Sequence, residues 1–330
     1  MCDVSTDDSI IMNQVSYSFD VSVIPVYIGL STGKTLYVID KDMTSDFKDL
    51  FENLSKSNIA IWVTTPAFAE MCIIDKSFNR NVMPKMEKMI FAGEVLTHKL
   101  MYELYDRFGD ISIINGYGPT EATVLVTAVE LTRGLCDKLK KIPIGYAMDN
   151  CKIYFVDESG KKVKEGEKGE LIICGDSVST GYYNNPEMTK KVFFETYIDG
   201  KLKRGYKTGD LGYIENGLIF YCGRKDFQIK LNGYRIELAD IENNLRRINF
   251  IENCVALPIF KDEKPLYIAA FVTLNKPSEE KEFKIAMRIK GELKKYVPTY
   301  MVPRIIKIKK TFPVNTNGKI NRKFLLEELK

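Results

Sequence analysis

The chain has 330 residues, of which 45% are hydrophobic and 28% charged, with a net charge of +4; that is enough apolar material for two or more packed cores. It holds no apolar run approaching a membrane span, and its polar, acidic first residues lack the basic-then-apolar pattern of a signal peptide, so a cytoplasmic chain that does not span a membrane is expected. Seven scattered cysteines without a Cys-x-x-Cys pair argue against a disulfide framework or a zinc site. A single histidine, His98, argues against Ser-His-Asp, Cys-His and multi-histidine metal chemistry.

In chain order, short apolar runs first alternate with helical patterns. Ile59–Thr64, Lys88–Gly93 and Ile111–Ile114 predict buried strands, and Ser45–Ser55 and Leu96–Phe108 predict helices. The second helix reads as capped by Thr97 and ended by Gly109, with His98 on the surface of its first turn. Alternation of this kind predicts an α/β layer with a mostly parallel sheet over residues 1–141. Residues 142–222 change character: Lys152–Val156, Glu170–Cys174 and Leu218–Cys222 predict an antiparallel β subdomain bounded by Gly-rich turns. Residues 223–330 predict a small, mobile α+β domain. In it Leu238, Ile241, Leu245 and Ile248 form a helical stripe, Cys254–Phe260 and Tyr267–Leu274 pair as strands, a helix covers about 279–296, and Arg304–Lys310 is a last strand. A hinge is expected near Asp226.

Charge is uneven along the chain. Residues 281–330 hold 14 Lys and Arg against 4 Asp and Glu, a net of +10, which leaves −6 for the rest. Such an end could attract an acidic partner or form an ordinary solvated lysine face. Nucleic acid is not the expected partner, because the stretch lacks interleaved exposed aromatics.

Four polar, glycine-bearing strings carry the chemistry, all read as flexible turns: Asn115–Glu121 (Asn-Gly-Tyr-Gly-Pro-Thr-Glu), Tyr206–Asp210 (Tyr-Lys-Thr-Gly-Asp), Gly223–Lys230 and Asn317–Arg322. In the first, Gly116, Gly118 and Pro119 allow close backbone approach to a ligand, Tyr117 offers a face to a purine, Thr120 a hydroxyl to a phosphate, and Glu121 a hard oxygen to Mg²⁺. The same string also reads as a strand–helix turn. Asp210 could accept ribose hydroxyls, and Arg224 could reach the same sugar or a phosphate; equally, the two could form a buried ion pair. Lys319 is either a mobile catalytic ammonium or an exposed turn lysine. Asp20, between Phe19 and Val21, is either a helix cap or the partner of a substrate ammonium group.

These strings resemble the adenylate-forming superfamily of acyl-CoA synthetases, peptide-synthetase adenylation domains and luciferases. Ser18-Phe-Asp-Val-Ser22 and Thr65-Pro-Ala-Phe-Ala-Glu-Met71, with Gly93–Leu96, Gly118–Thr123, Asp226–Lys230 and Tyr300–Pro303, resemble the branch that activates D-alanine for transfer to a carrier protein in teichoic acid D-alanylation. The resemblance implies the adenylate-forming fold and an ATP- and Mg²⁺-dependent ligase, monomeric, with an acidic phosphopantetheinylated carrier protein as partner. It assigns Asn115, Gly116, Tyr117, Gly118, Pro119, Thr120, Asp210, Tyr221, Cys222, Gly223 and Arg224 to the nucleotide, and Glu121 to Mg²⁺. Asp20, Ala92 and Val124 go to D-alanine, Lys319 to the substrate carboxylate and α-phosphate, and Asp226 to the hinge.

Three departures accompany the resemblance. Nothing before Ser18 matches the family's Ser/Thr/Gly-rich loop that grips the β- and γ-phosphates, so an N-terminally truncated large domain is expected. Ala92 stands where this branch usually has cysteine, and Asn321 where the last string usually has aspartate. Two alternatives therefore stand beside the main reading: adenylation of another small amino acid, and a fragment that binds nucleotide or carrier without turnover.

Overall fold

The structure is a computed structural model that describes residues 9–225, 228–261, 264–313 and 320–329. It divides into two compact units, Met1–Lys225 and Asp226–Lys330.

In the first unit, among the described residues, seven strands make one sheet: β1 (Ile10–Asn13), β2 (Leu36–Val38), β3 (Ile59–Thr64), β4 (Lys88–Phe91), β5 (Ser112–Tyr117), β6 (Thr127–Leu131) and β7 (Tyr146–Ala147). Their order is β2-β1-β3-β4-β5-β6-β7. The pairs from β2 to β5 are parallel, and β6 and β7 add antiparallel. All six residues of β3 are buried, as a parallel strand covered on both faces requires. Helices Phe47–Lys56 and His98–Phe108 bury Leu50, Leu54, Leu100, Leu104 and Phe108 in one cluster with Trp62 and Phe78. The Phe78 ring meets Trp62 at 4.9 Å and Phe108 at 5.0 Å, both edge to face. Burying each such ring contributes roughly 1.5–3 kcal/mol.

Two sequence expectations change here. The helix expected over Ser45–Ser55 runs Phe47–Lys56, and a separate short helix, Lys41–Ser45, precedes it, because Asp46 is extended and its carboxylate accepts the amides of Lys48 and Asp49 as the cap of the later helix. The apolar spacing of Phe47, Leu50, Phe51 and Leu54 marks only the second. Thr97 does cap the next helix, through Leu100 N, but His98 is half-buried with Nε2 at 3.0 Å from the Leu139 carbonyl.

A second, antiparallel sheet follows: β8 (Cys151–Val156), β9 (Gly169–Gly175), β10 (Phe193–Ile198), β11 (Lys201–Glu215) and β12 (Leu218–Arg224). The order is β10-β11-β9-β8, with β12 also on β11. Its Leu218 and Phe220 enter the core of the first sheet. The sequence reading missed β10 and β11. The fifteen residues of β11 carry lysines, arginine and three glycines, yet their exposure alternates through Tyr206, Thr208, Asp210 and Gly212, all buried. The string Tyr206–Asp210 is thus strand rather than flexible turn, with irregular pairing between Lys207 and Leu211. Likewise Asn115, Gly116 and Tyr117 end β5 instead of opening a loop.

The second unit holds a hairpin, β13 (Gln228–Leu231) with β14 (Tyr234–Glu237), and a three-stranded sheet of β15 (Ile251–Lys261), β16 (Lys264–Leu274) and β17 (Ile305–Lys309). β15 pairs antiparallel and β17 parallel with β16. Helices Leu238–Arg246 and Glu282–Leu293 bury Leu238, Ile241, Leu245, Ile285, Ile289 and Leu293 against that sheet. The final helix, Arg322–Glu327, is anchored by a charge. Arg322 donates to Glu242 Oε1 at 2.8 Å and to the Ala256 carbonyl at 3.0 Å, while Ala256 N donates to the same carboxylate oxygen at 3.0 Å. Asp226 and Lys319 lie outside the described residues. Among those described, no helix is long and apolar enough to cross a membrane.

Candidate active site

The site of the first unit is built on the C-terminal end of β5, where ligands collect on parallel sheets. Past Tyr117 the chain runs through Gly118 and Pro119 into a short 3-10 turn, Thr120–Ala122, and reverses at Thr123 and Val124. Both of these β-branched residues have positive φ, 60° and 61°. Such conformations cost on the order of 1–3 kcal/mol each and persist only where neighbours hold them. Here Leu125 N donates to Thr123 O at 2.7 Å, Val126 N to Tyr117 O at 2.9 Å, and the Thr123 hydroxyl to Ser177 O at 2.7 Å. The reversal also needs Gly118, since a Cβ there would lie 2.5 Å from the Val124 carbonyl oxygen.

Three sets of polar contacts hold the predicted residues, two of them joining predicted residues to one another. First, the Tyr117 hydroxyl donates to Asp210 Oδ2 at 2.5 Å and Arg224 donates to Asp210 Oδ1 at 2.8 Å, with the Asp210 and Arg224 side chains 8% and 12% exposed. The irregular β11 pairing and the hairpin to β12 bring Asp210 opposite Arg224. Burial, reinforced by the Asp210 charge, pushes the Tyr117 phenol well above its ordinary value, so it remains a neutral donor. Its ring belongs to the core of the second sheet and faces Tyr221 at 6.5 Å between centroids.

Second, the Thr120 hydroxyl donates to Asp20 Oδ2 at 2.7 Å. Asp20 opens the short turn Asp20–Ser22 and makes no capping hydrogen bond, so the cap reading of this residue is set aside. Third, Glu121, 7% exposed, accepts at Oε1 from the Tyr182 hydroxyl at 2.6 Å, and its carbonyl accepts from Ser179 N at 2.9 Å. Asn115 is held by the Pro143 carbonyl at 2.7 Å.

Ala92, 1% exposed, packs in one apolar cluster with Val21, Ile61, Ile90 and Ile114, and Val124 lies against the same cluster. Cys222 and Gly223 are half-buried on β12 beside Arg224. The predicted residues of this unit therefore converge from five stretches of chain: Asp20, Ala92, Asn115–Val124, Asp210 and Tyr221–Arg224. Lys319 and Asp226 lie outside the described residues. Tyr182 was not singled out in the sequence: it sits 61 residues from Glu121 in an unremarkable Gly-Tyr-Tyr run, and no local spacing pairs them.

The donor set suits a magnesium ion that arrives with a nucleotide. Among the described residues no three His, Cys, Asp or Glu side chains cluster, and one buried carboxylate plus substrate phosphates is the usual coordination of Mg²⁺ by nucleotide enzymes.

Residues 1–183 match the AMP-binding enzyme family and residues 240–319 the AMP-binding enzyme C-terminal domain. The chain is 48% identical over 320 residues to the D-alanine–D-alanyl carrier protein ligases of Bacillus mycoides (strain KBAB4) and Bacillus cereus (strain G9842). That match takes in 97% of this chain and 63% of theirs, so the chain spans less than two thirds of the length of these curated relatives. Among solved structures, the Vibrio cholerae adenylation domain AlmE in complex with glycyl-adenosine-5'-phosphate aligns with 98% of this chain and 59% of its own, at a TM-score of 0.83 and 24% identity. PA1221, a nonribosomal peptide synthetase protein with adenylation and PCP domains, aligns with 98% and 54% at 0.79 and 22%. Both likenesses bear on the fold.

Proposed function

The chain belongs to the AMP-binding enzyme family, and from that premise we propose that it activates D-alanine with ATP, as D-alanyl-AMP, for transfer to the thiol of a phosphopantetheinylated carrier protein. The observation that carries the proposal is the hydrogen bond from Thr120 to Asp20. It joins a carboxylate suited to a substrate ammonium group to a hydroxyl suited to a phosphate, the two ends of an amino acid meeting ATP.

The chemistry follows from charge. An oxygen of the D-alanine carboxylate attacks the α-phosphorus of ATP, the bond to the β-phosphate bridging oxygen breaks, and pyrophosphate leaves. The nucleophile is already ionised, so no general base is needed. Asp20 holds the ammonium end, and Ala92 and Val124 border the methyl. Asp210 receives the ribose: a carboxylate accepts up to about four donors, and Tyr117 and Arg224 leave it capacity for two hydroxyls. Glu121 would hold Mg²⁺, which offsets the phosphate charge when bound. The Lys319 ammonium would bridge the carboxylate and the α-phosphate, strongest as negative charge gathers between them. In the second step the carrier thiol, losing its proton, forms a C–S bond to the acyl carbon, and AMP leaves.

Two results test the reading. Asp20→Ala should raise the KM for D-alanine by about 10–100-fold, the worth of one charge-assisted hydrogen bond, while leaving AMP affinity within twofold. A mutant that turned over D-alanine like the parent would sink the amino-acid assignment. The basic end of the chain supports docking of an acidic carrier. Lys294 is exposed, whereas Lys295 and Lys309 already pair with Glu292 and Glu328 at 2.7 and 2.5 Å. Reversing all three charges should cut carrier-dependent transfer at low salt by about tenfold and abolish its salt dependence; unchanged transfer would remove the docking claim.

A further inference from the structure

The loop between β9 and β10 is tied to the Thr120–Thr123 turn at three points. The Thr123 hydroxyl donates to Ser177 O, Ser179 N donates to Glu121 O, and the Tyr182 hydroxyl donates to Glu121 Oε1. The first two set backbone. The third alone touches the buried carboxylate, and the position of that hydroxyl is itself fixed. The Tyr182 ring packs edge-on against Phe193 at 5.4 Å, and Tyr182 N donates to Thr189 Oγ1 at 2.9 Å. Gly181 before it, at φ 137°, lies so near Thr189 that a Cβ would come within 2.4 Å of Thr189 Cγ2. The helix Pro186–Val192 thus braces Tyr182, and Tyr182 braces Glu121.

We propose that Tyr182 is a positioning residue for the metal-bound nucleotide, fixing the rotamer in which the Glu121 carboxylate meets the divalent cation. The inference rests on the reading of Glu121 as the magnesium ligand. A carboxylate free to rotate must be ordered when the cation arrives; one already held by a hydroxyl donor binds without that loss. Partners of ligating carboxylates typically contribute 10–100-fold to metal affinity.

The test is calorimetric titration of the 330-residue chain with ATP, once with Mg²⁺ and once with EDTA, for the parent, Tyr182→Phe, Glu121→Gln and the double variant. Phenylalanine keeps the ring against Phe193 and removes only the hydroxyl, and the melting temperature checks that the loop survives. The expected result is a tenfold or greater loss of affinity for ATP with Mg²⁺ in Tyr182→Phe and no change in EDTA. In the Glu121→Gln background the tyrosine substitution should have no further effect, as expected of residues acting through one group. Equal losses with and without Mg²⁺, or none in either, would overturn the positioning role. If the parent itself binds no tighter with Mg²⁺, the assignment of Glu121 fails and this inference with it.

Discussion

Asp210→Ala should weaken AMP binding by about 10²-fold or more and destabilise the first unit by about 3–5 kcal/mol. The affinity loss follows from two charge-assisted hydrogen bonds to the ribose at roughly 1.5–3 kcal/mol each. The stability loss has a separate origin. Arg224, 12% exposed, would lose its ion pair with Asp210, and breaking a buried pair by removing one member costs about that much. Tyr117 would lose its hydrogen bond to Asp210 at the same time. Asp210→Asn separates the two effects, since the amide oxygen keeps an acceptor for Arg224 while the charge is lost; it should recover part of the stability and little of the affinity. Denaturant midpoints and AMP titrations of both variants give the answer. An alanine variant as stable and as tight as the parent would mean that the ion pair is ornamental and the ribose assignment wrong.

The second large effect is expected at Lys319. Replacing it with alanine should lower adenylate formation by ~10²-fold or more, the usual loss when one group aimed at transition-state charge is removed. Substrate KM values should move much less, because in the proposed role the ammonium acts where carboxylate and phosphate charge converge rather than on either reactant alone. Transfer from supplied D-alanyl-AMP to the thiol should persist, since that step creates no such convergence at the α-phosphate. Loss of both steps in equal measure, with a lowered melting temperature, would point to a folding role instead.

Much of this was legible in the sequence because it is local. Asn115–Glu121 and Tyr206–Asp210 each place a glycine beside chemistry-bearing side chains, and a motif read along the chain finds them. What joins them is not local. Tyr117 and Asp210 are 93 residues apart and lie on strands of different sheets, Thr120 and Asp20 are 100 apart, and only the tertiary fold brings either pair together. The same limit explains Tyr182, which acquires meaning from Glu121, 61 residues earlier, with β6 to β9 between them. β11 escaped notice because its lysines and glycines hide a period of two that burial makes plain. The break at Asp46 escaped because apolar spacing marks the face of a helix, whereas a cap marks its start.

The central claim is adenylation of D-alanine, and its most direct measurement is D-alanine-dependent exchange of labelled pyrophosphate into ATP by the purified chain. Exchange that needs D-alanine and Mg²⁺, and that stands at least ~10²-fold above the Lys319→Ala level, is the predicted result. Exchange no higher than in Lys319→Ala, from a chain that still binds AMP, would contradict it and leave a nucleotide-binding fragment without turnover.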